Sequence, residues 1–365
     1  MSPSTRLRTQ DLELPTPAHA PPMLGFVGIH AGRRTNQPVS QNEVLAGLFE
    51  RSGYEVRRAS TVRRPIPRTL HHILSILSWR RVDLMVIAVF SGRSFRMAEI
   101  ATFLGRLTGK RMILFLHGGN LPVFGPAHRR RVERVFQRAD AVLAPSSYLG
   151  DTFREWGYDV HVVPNVLAIE RYRYRPRAAA SPNLLWMRTF HEHYDPLMAV
   201  RVLAALRERH PEARMTMGGA DQGLLSATQA EANRLGVSDR ITFAGYLTAE
   251  GKEAAFAEHD VFLNTNVVDN MPVSVLEASA CGLVPVATAV GGVPAIITDR
   301  VNGRLVPSGD VGAMVDAVSE LLEQPSTYAR MSASAREFAE HAAWPAVRAL
   351  WESELRMILP DRELP

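Results

Sequence analysis

The sequence has 365 residues, 42 Lys and Arg against 37 Asp and Glu, a formal net charge of +5 and a single cysteine. At roughly 100–200 residues per domain, this length predicts two domains that each bury a core, and it excludes a mini-protein held together by disulfides or metals. The single cysteine, Cys281, cannot form an intramolecular disulfide, which excludes a disulfide-bonded secreted scaffold and favours a reducing compartment.

Charge is distributed unevenly along the chain. Residues 1–175 carry 26 Lys and Arg and 13 Asp and Glu, a net charge of +13, whereas residues 176–365 carry 16 and 24, a net charge of −8. The basic first half predicts contact with an anionic partner, such as a membrane surface, a nucleic acid or a phosphorylated acceptor. General arginine richness is an alternative, since only Lys110 and Lys252 are lysines, but it does not explain the unequal halves.

The first half alternates between predicted strands and helices. Residues 1–22 are rich in Pro, Ser and Thr without an apolar core, and are interpreted as a flexible tail rather than a signal peptide. A strand at 24–32 precedes a helix at 40–53, with Ser40 as the N-cap and Glu43 at capping-box spacing. Further strands are predicted at 54–60, 83–89, 111–117, 141–146 and 161–165. This alternation predicts a first domain, residues 23–175, with a parallel sheet covered on both faces.

The second half repeats this organisation after a basic, irregular linker at 172–183. Strands are predicted at 183–188, 213–219, 240–247, 260–266, 284–292 and 303–310, and helices around 196–210, 222–235, 272–281, 311–323 and 325–341. The second domain would span residues 176–343, and the helical segment at 344–365 would pack back on the first domain. The predicted fold is therefore α/β, with two doubly wound Rossmann-like domains facing a central cleft where ligands bind.

The most informative segment is residues 264–310. It places Asp269 in a loop after a strand and Glu277 eight residues later, inside the following helix. A helix that begins at Pro272 or Val273 would present free backbone N–H groups and the positive end of its dipole to the cleft. Gly291 and Gly292, where the next strand turns into a helix, would allow close backbone approach to a ligand.

This segment closely resembles the donor-binding signature of the retaining glycosyltransferases of family 4, the glycosyl transferases group 1, which have the GT-B architecture. In that family two acidic residues separated by seven others are followed by an EAxAxG helix, a strand and a GGxPE-like turn. The chain matches with Asp269, Glu277, ASACG, VPVAT, VGGVP and NGRLV in the same order. The resemblance covers most of residues 24–320. Further matches are 35–56, LHGGN (116–120), PN (164–165), RTFHEHYDP (188–196) and GGADQG (218–223).

The resemblance implies transfer of a sugar from a nucleotide-diphosphate donor to an acceptor hydroxyl with retention. Glu277 would bind the ribose hydroxyls, Arg188 would neutralise the diphosphate, Asp269 with the 270–273 backbone would hold the donor sugar, and His117 would reach the sugar and phosphates. Arg188, His117 and Asp269 are thus the candidate catalytic residues. The candidate substrate-binding residues are Glu277, Asn270, Met271, Pro272, Val273, His193, Tyr194, Gly118, Gly32, Gly219 and Tyr246.

Three positions depart from the family pattern. The first acid is Asp269 rather than Glu, the Lys expected after Arg188 is replaced by His193 and Tyr194, and Ala295 stands where Glu is usual. These departures keep open the alternative of a non-catalytic sugar-nucleotide-binding module. A GT-B-like sugar-nucleotide epimerase is a second alternative to a transferase.

The expected partners follow from the same motifs. No Ser/His/Asp, Cys/His or metal-ligand spacing is recognisable, so we expect no cofactor and no obligatory metal, with the nucleotide sugar as substrate. The acceptor would be a glycan, glycolipid or lipid-linked sugar in polysaccharide or glycolipid biosynthesis. The basic amphipathic stretches 63–81 and 128–138 fit either an anionic membrane surface or ordinary core packing.

The expected location is the cytoplasm, with a peripheral position at the inner face of the membrane if the basic stretches bind lipid. No run approaches the roughly 18 apolar residues that span a bilayer. Nucleic acid is not expected as a partner, because the basic stretches lack aromatic platforms and no recognition motif is found.

Overall fold

The structure is a computed structural model that describes residues 21–28, 40–59, 62 and 65–365, without the side chains of residues 65 and 66. Residues 1–20 of the predicted tail, and the candidate residue Gly32, lie outside the described residues. Within the described part, the strands form two six-stranded sheets whose registered strand pairs are all parallel. The predicted pair of doubly wound α/β domains is confirmed.

The first sheet contains β1 to β6, in the spatial order β2-β1-β3-β4-β5-β6. Its strands are β1 Met23–Val27, β2 Glu55–Ala59, β3 Leu84–Val89, β4 Arg111–Leu116, β5 Ala141–Ala144 and β6 His161–Val162. All six residues of β3 are buried, as expected for a central parallel strand with helices on both faces. The edge strand β6 is shorter than predicted because Pro164 has no N–H to continue the ladder.

Six helices cover this sheet, and the first has the predicted cap. They are α1 Gln41–Arg51, α2 Pro65–Ser78, α3 Phe95–Leu107, α4 Leu121–Ala127, α5 Arg129–Phe136 and α6 Ser147–Glu155. The Ser40 side chain accepts a hydrogen bond from the Glu43 N–H at 3.2 Å, which satisfies one of the free donors at the start of α1. The N-terminal end of α1 is thereby held where β1 leaves the sheet.

The second sheet contains β7 to β12, in the order β12-β11-β10-β7-β8-β9. Its strands are β7 Asn183–Met187, β8 Arg214–Gly218, β9 Ile241–Gly245, β10 Val261–Asn264, β11 Val284–Thr288 and β12 Arg304–Val306. Its helices are α7 Pro196–Leu206, α8 Leu225–Arg234, α9 Ala249–Glu258, α10 Val273–Ala280, α11 Val311–Glu323 and α12 Pro325–His341. The loops that leave β7 to β10 meet at the carboxyl edge of this sheet.

Two segments cross between the domains side by side. Residues 163–182 lead from β6 to β7, and the N–H of Leu167 donates to the carbonyl of Ala342 at 2.8 Å. The second crossing leads into α13 Trp344–Ile358, which packs on the first domain. The Trp351 ring is fully buried and lies 5.8 Å from the Phe49 ring centre. The final helix therefore completes the core of the first domain.

Candidate functional site

A cavity of about 1130 Å³ lies between the two domains. Its wall in the second domain comes from loops at the carboxyl ends of the strands and from α9 and α10, and the first domain contributes α1 and the segment after β6. Six of the predicted site residues line it: Arg188, Tyr194, Gly219, Tyr246, Val273 and Glu277. The structure thus gathers on one surface residues that lie up to 89 positions apart in the chain.

Glu277 is held in place by two side chains that the sequence did not indicate. It lies in α10, is 7% exposed, and its Oε1 accepts a hydrogen bond from the Tyr172 hydroxyl at 2.8 Å. The Lys252 ammonium donates to Oε2 at 2.9 Å and to Oε1 at 3.0 Å. Burial, together with the nearby Glu277 charge, raises the pKa of Tyr172, so its hydroxyl stays protonated and remains a donor.

Arg188 and Asp269 form an ion pair at the end of β7. The Arg188 Nη2 atom lies 2.5 Å from Asp269 Oδ2, and the two side chains are only 16% and 12% exposed. The guanidinium also lies 4.1 Å from the centre of the Tyr194 ring and donates weakly to the Ser274 hydroxyl at 3.4 Å. A cation is therefore fixed at the first turn of α10, beside free N–H groups that also favour an anion.

Glycines are required where the site loops meet. A Cβ at Gly219 would lie 1.7 Å from the Arg188 carbonyl oxygen. Similarly, a Cβ at Gly291 or Gly292 would lie 1.9 or 1.8 Å from the carbonyl oxygens of Asp269 and Asn270. Gly291 and Gly292 therefore permit a close approach to the 269–270 backbone. Both glycines shape the loop that carries Asp269.

The loop at 269–271 is held by the first domain as well. Ser146 donates a short hydrogen bond to Asn270 Oδ1, and Asn165 Nδ2 donates to the Met271 carbonyl at 3.0 Å. Asn270, Met271 and Pro272 are buried and do not line the cavity. The side chains of Asn270 and Met271 thus take part in the contact between the domains.

His117 and Gly118 lie opposite this loop, at the end of β4. A Cβ at the following residue, Gly119, would lie 3.0 Å from the Asp269 carbonyl carbon, so the two loops touch. Burial lowers the pKa of His117 to about 4, which keeps its imidazole neutral at physiological pH. His117 Nε2 is buried and has no hydrogen-bond partner among the described residues.

Of the two residues that replace the expected Lys, only Tyr194 reaches the cavity. The turn Glu192–Tyr194 is anchored because the Val267 N–H donates to the His193 carbonyl at 2.8 Å. This anchoring leaves the His193 ring exposed, 4.6 Å from the ring of His191 and outside the cavity lining. The prediction that His193 is a substrate-binding residue therefore has no support from its position.

Three positions that the sequence did not indicate contribute to the site: Tyr172, Lys252 and Ser146. Asn165 belongs to the PN match at 164–165, but its contact with the 269–271 loop was not predicted. In the described part of the chain, no group of three or more His, Cys, Asp or Glu side chains is arranged to hold a metal ion.

The fold and the site define a two-domain α/β protein whose ligand cavity lies between the domains. Two family models match it: glycosyltransferase family 4 over residues 21–171, and glycosyl transferases group 1 over residues 176–338. The chain belongs to the family 4 glycosyltransferases with GT-B architecture.

Curated relatives include two enzymes of Mycolicibacterium smegmatis. The GDP-mannose-dependent alpha-(1-6)-phosphatidylinositol monomannoside mannosyltransferase is 27% identical over 311 residues, which are 79% of this chain and 80% of that enzyme. The D-inositol 3-phosphate glycosyltransferase is 33% identical over 154 residues, which are 41% of this chain and only 34% of that enzyme.

Solved structures share the fold at low sequence identity. Sucrose-phosphate synthase from Thermosynechococcus elongatus superposes with a TM-score of 0.76 at 14% identity, covering 93% of this chain and 100% of that one. Anabaena HepE in complex with UDP and glucose superposes with a TM-score of 0.74 at 15% identity, covering 92% of this chain and 99% of that one.

Among the described residues, no helix has both the length and the apolar character needed to cross a bilayer.

Proposed function

We propose that the protein transfers a sugar from a nucleotide-diphosphate donor to an acceptor hydroxyl, with retention, in glycolipid or polysaccharide synthesis. The observation that carries this proposal is the placement of Arg188 and Glu277 on one wall of the interdomain cavity. A buried carboxylate suits the paired hydroxyls of a ribose, and a guanidinium suits a diphosphate. Arg188 contacts both Asp269 and Ser274, and Ser274 lies about one helical turn before Glu277 in α10.

Each group of the donor then has a partner. Glu277 accepts hydrogen bonds from the ribose, and Arg188 with the first N–H groups of α10 neutralises the diphosphate. Asp269 and the adjacent backbone hold the sugar hydroxyls, and His117 donates to the sugar from a neutral ring. The Arg188–Asp269 ion pair fixes the positions of the guanidinium and the carboxylate before the donor binds.

The transfer that we propose needs no enzymic nucleophile. The bond between the anomeric carbon and the leaving phosphate oxygen breaks while the acceptor oxygen bonds to that carbon on the same face. The acceptor proton passes to an oxygen of the departing diphosphate. Negative charge develops on the diphosphate in the transition state, where Arg188 and the α10 N-terminus stabilise it most, which is the differential binding that accelerates a reaction. We expect this step without an obligatory metal.

We further propose that the acceptor is a glycolipid or lipid-linked sugar reached at an anionic membrane surface. The M. smegmatis mannosyltransferase, by its name, acts on a phosphatidylinositol mannoside. In this chain α2 buries His72 and Ile76 against the first sheet but leaves three leucines exposed on another face. These are Leu70, Leu74 and Leu77, which are 57%, 58% and 47% exposed.

The surface around these leucines has the composition of a membrane-binding face. The neighbouring helix α3, which packs against α2, exposes Phe103 at 54% and Leu107 at 68%. Arg80 and Arg81, which follow the end of α2, and Arg106 of α3 are exposed as well. Apolar side chains flanked by cations suit insertion into an anionic bilayer surface. By contrast, α5 in the second basic stretch buries its apolar residues, so this stretch contributes charge only.

Turnover of a sugar nucleotide tests the transfer itself. Nucleotide sugars are screened by thermal shift, since a ligand at 100 times its Kd stabilises a protein by about 2.7 kcal/mol. Hits are then incubated with acceptor, and the anomeric configuration of the product is read by NMR. We expect retention, with loss of the thermal shift in Glu277→Ala. Inverted product would refute the mechanism. Release of an epimerised sugar, or binding without turnover, would replace the proposal by one of the two alternatives.

Vesicle binding tests the membrane surface. Leu70→Glu/Leu74→Glu should bind vesicles of phosphatidylglycerol and phosphatidylcholine at low salt at least about tenfold more weakly than the native protein, because two leucines lose their burial in lipid. The matched control is Leu350→Glu/Met357→Glu, which changes two exposed apolar side chains of α13. Equal binding by both variants, or no binding of the native protein, would contradict the proposal.

A further inference from the structure

Tyr172 is the residue through which the segment between the domains reaches the donor site. Its hydroxyl donates to Glu277 Oε1 at 2.8 Å, and its ring lies 6.3 Å from the Phe256 ring in an edge arrangement. The backbone at this point is tied to the second domain by Arg336, whose Nη1 donates to the carbonyls of Tyr172 at 3.4 Å and Ala280 at 2.8 Å. The hydroxyl is therefore fixed relative to α10.

The other partner of Glu277 is less constrained. Lys252 contacts both carboxylate oxygens, but its side chain is 31% exposed and ends a flexible four-carbon stem. A carboxylate offers about four acceptor positions, and the two donors already use three of them. A ribose donates two hydroxyl hydrogen bonds, so one existing contact must be exchanged when the donor binds. The partly exposed, flexible side chain of Lys252 can turn to solvent, whereas Tyr172 is held by its ring contact and by the Arg336 hydrogen bond to its backbone.

We propose that Tyr172 is a positioning residue for the donor: it holds the Glu277 carboxylate in orientation while Lys252 leaves to admit the ribose. The inference rests on the proposed function, in which Glu277 binds the ribose. In this arrangement Tyr172 touches no substrate and acts through Glu277. The segment that joins the domains thereby contributes to donor affinity.

The test compares Tyr172→Phe with Tyr174→Phe. Tyr174 belongs to the same segment and packs against Arg336, with its ring centre 5.5 Å from the guanidinium, but its hydroxyl makes no hydrogen bond with a described group. Dissociation constants for GDP and UDP, and for their 2′-deoxy forms, are measured by calorimetry on the full chain. We expect Tyr172→Phe to weaken binding of the better-bound ribonucleotide about five- to tenfold, which is the upper part of the range for a typical intramolecular hydrogen bond. Tyr174→Phe should change it less than about twofold.

Two further readouts separate positioning from a general structural role. Tyr172→Phe should lose less affinity for the 2′-deoxy nucleotide than for the ribonucleotide. The ratio of the two dissociation constants, measured on one preparation, is unaffected by reduced stability of the variant. In a Glu277→Ala background, Tyr172→Phe should have no further effect, because the hydroxyl acts through the carboxylate. With the donor that supports turnover, KM should rise while kcat stays within about twofold.

The outcomes distinguish failure of the inference from failure of the proposed function. The role of Tyr172 would be overturned if Tyr172→Phe lost equal affinity for ribo and 2′-deoxy nucleotides. It would also be overturned if the substitution lowered affinity equally with and without the Glu277 carboxylate. If Glu277→Ala weakens nucleotide binding and Tyr172→Phe does not, the inference fails and the proposed function stands. If the native protein binds no nucleoside diphosphate, the proposed function itself fails.

Discussion

Removal of the Arg188 guanidinium should lower both the stability and the activity of the protein, and a second substitution should restore only the stability. In Arg188→Met the Asp269 carboxylate, 12% exposed, would keep only its neutral donors, Asn266 Nδ2 at 2.5 Å and the Asn270 N–H at 2.7 Å. Loss of one partner from a fully buried pair costs about 3–5 kcal/mol. Since neutral donors and some solvent remain, we expect about 2 kcal/mol, a fall of about 4–8 °C in the melting temperature of a domain of this size.

The double variant Arg188→Met/Asp269→Asn provides the control. It removes the unpaired charge, so at least half of the lost stability should return, measured by calorimetric melting of both variants. Turnover should stay at least about 100-fold below the native rate in both variants, because charge stabilisation of the leaving diphosphate is absent from each. A single variant that melts at the native temperature, or a double variant no more stable than the single one, would refute the reasoning.

Three other changes have defined outcomes. Gly219→Ala should lower kcat/KM at least about tenfold, because the new Cβ displaces the Arg188 backbone; Gly312→Ala, with space for its Cβ, is the control and should keep native kinetics. His117 has its pKa lowered to about 4, so stability should fall by about 2–3 kcal/mol between pH 7 and pH 4.5, as the unfolded chain takes up the proton first. Denaturant titration of His117→Gln should show a smaller fall in the free energy of unfolding between these two pH values. Turnover should survive EDTA; activity lost with EDTA and restored by a divalent cation would contradict metal independence.

The parts of the site that lie close together in sequence could be predicted. Asp269 and Glu277 lie eight residues apart, across a strand end and a helix start, so a local pattern and a family resemblance were sufficient to find them. Tyr172 and Ser146 lie 105 and 124 residues from the side chains that they contact, and no local pattern relates them. Only the packing of the two domains brings such residues together.

The amphipathic stretch at 63–81 shows a second limit of prediction from the sequence. Its apolar spacing fits both a core-facing helix and a membrane-facing one, and the two alternatives predict the same periodicity. In the structure α2 is apolar on two faces. Ile76 packs on the sheet, while Leu70 and Leu74 are exposed. An apolar face beyond the one that the core needs is visible only when the position of the sheet is known.

Hydrogen bonding is incomplete where the two domains meet. Three buried polar atoms close to the 269–271 loop have no hydrogen-bond partner among the described residues: Asn270 Nδ2, Asn165 Oδ1 and His117 Nε2. Each such atom costs about 1–3 kcal/mol while it stays unsatisfied. Opening of the cleft would let water reach these atoms, so part of the free energy that holds the domains together at Ser146 and Asn270 is offset. If the proposed function is right, we expect the cleft to open when donor and product exchange, and a donor that satisfies these atoms to favour the closed form.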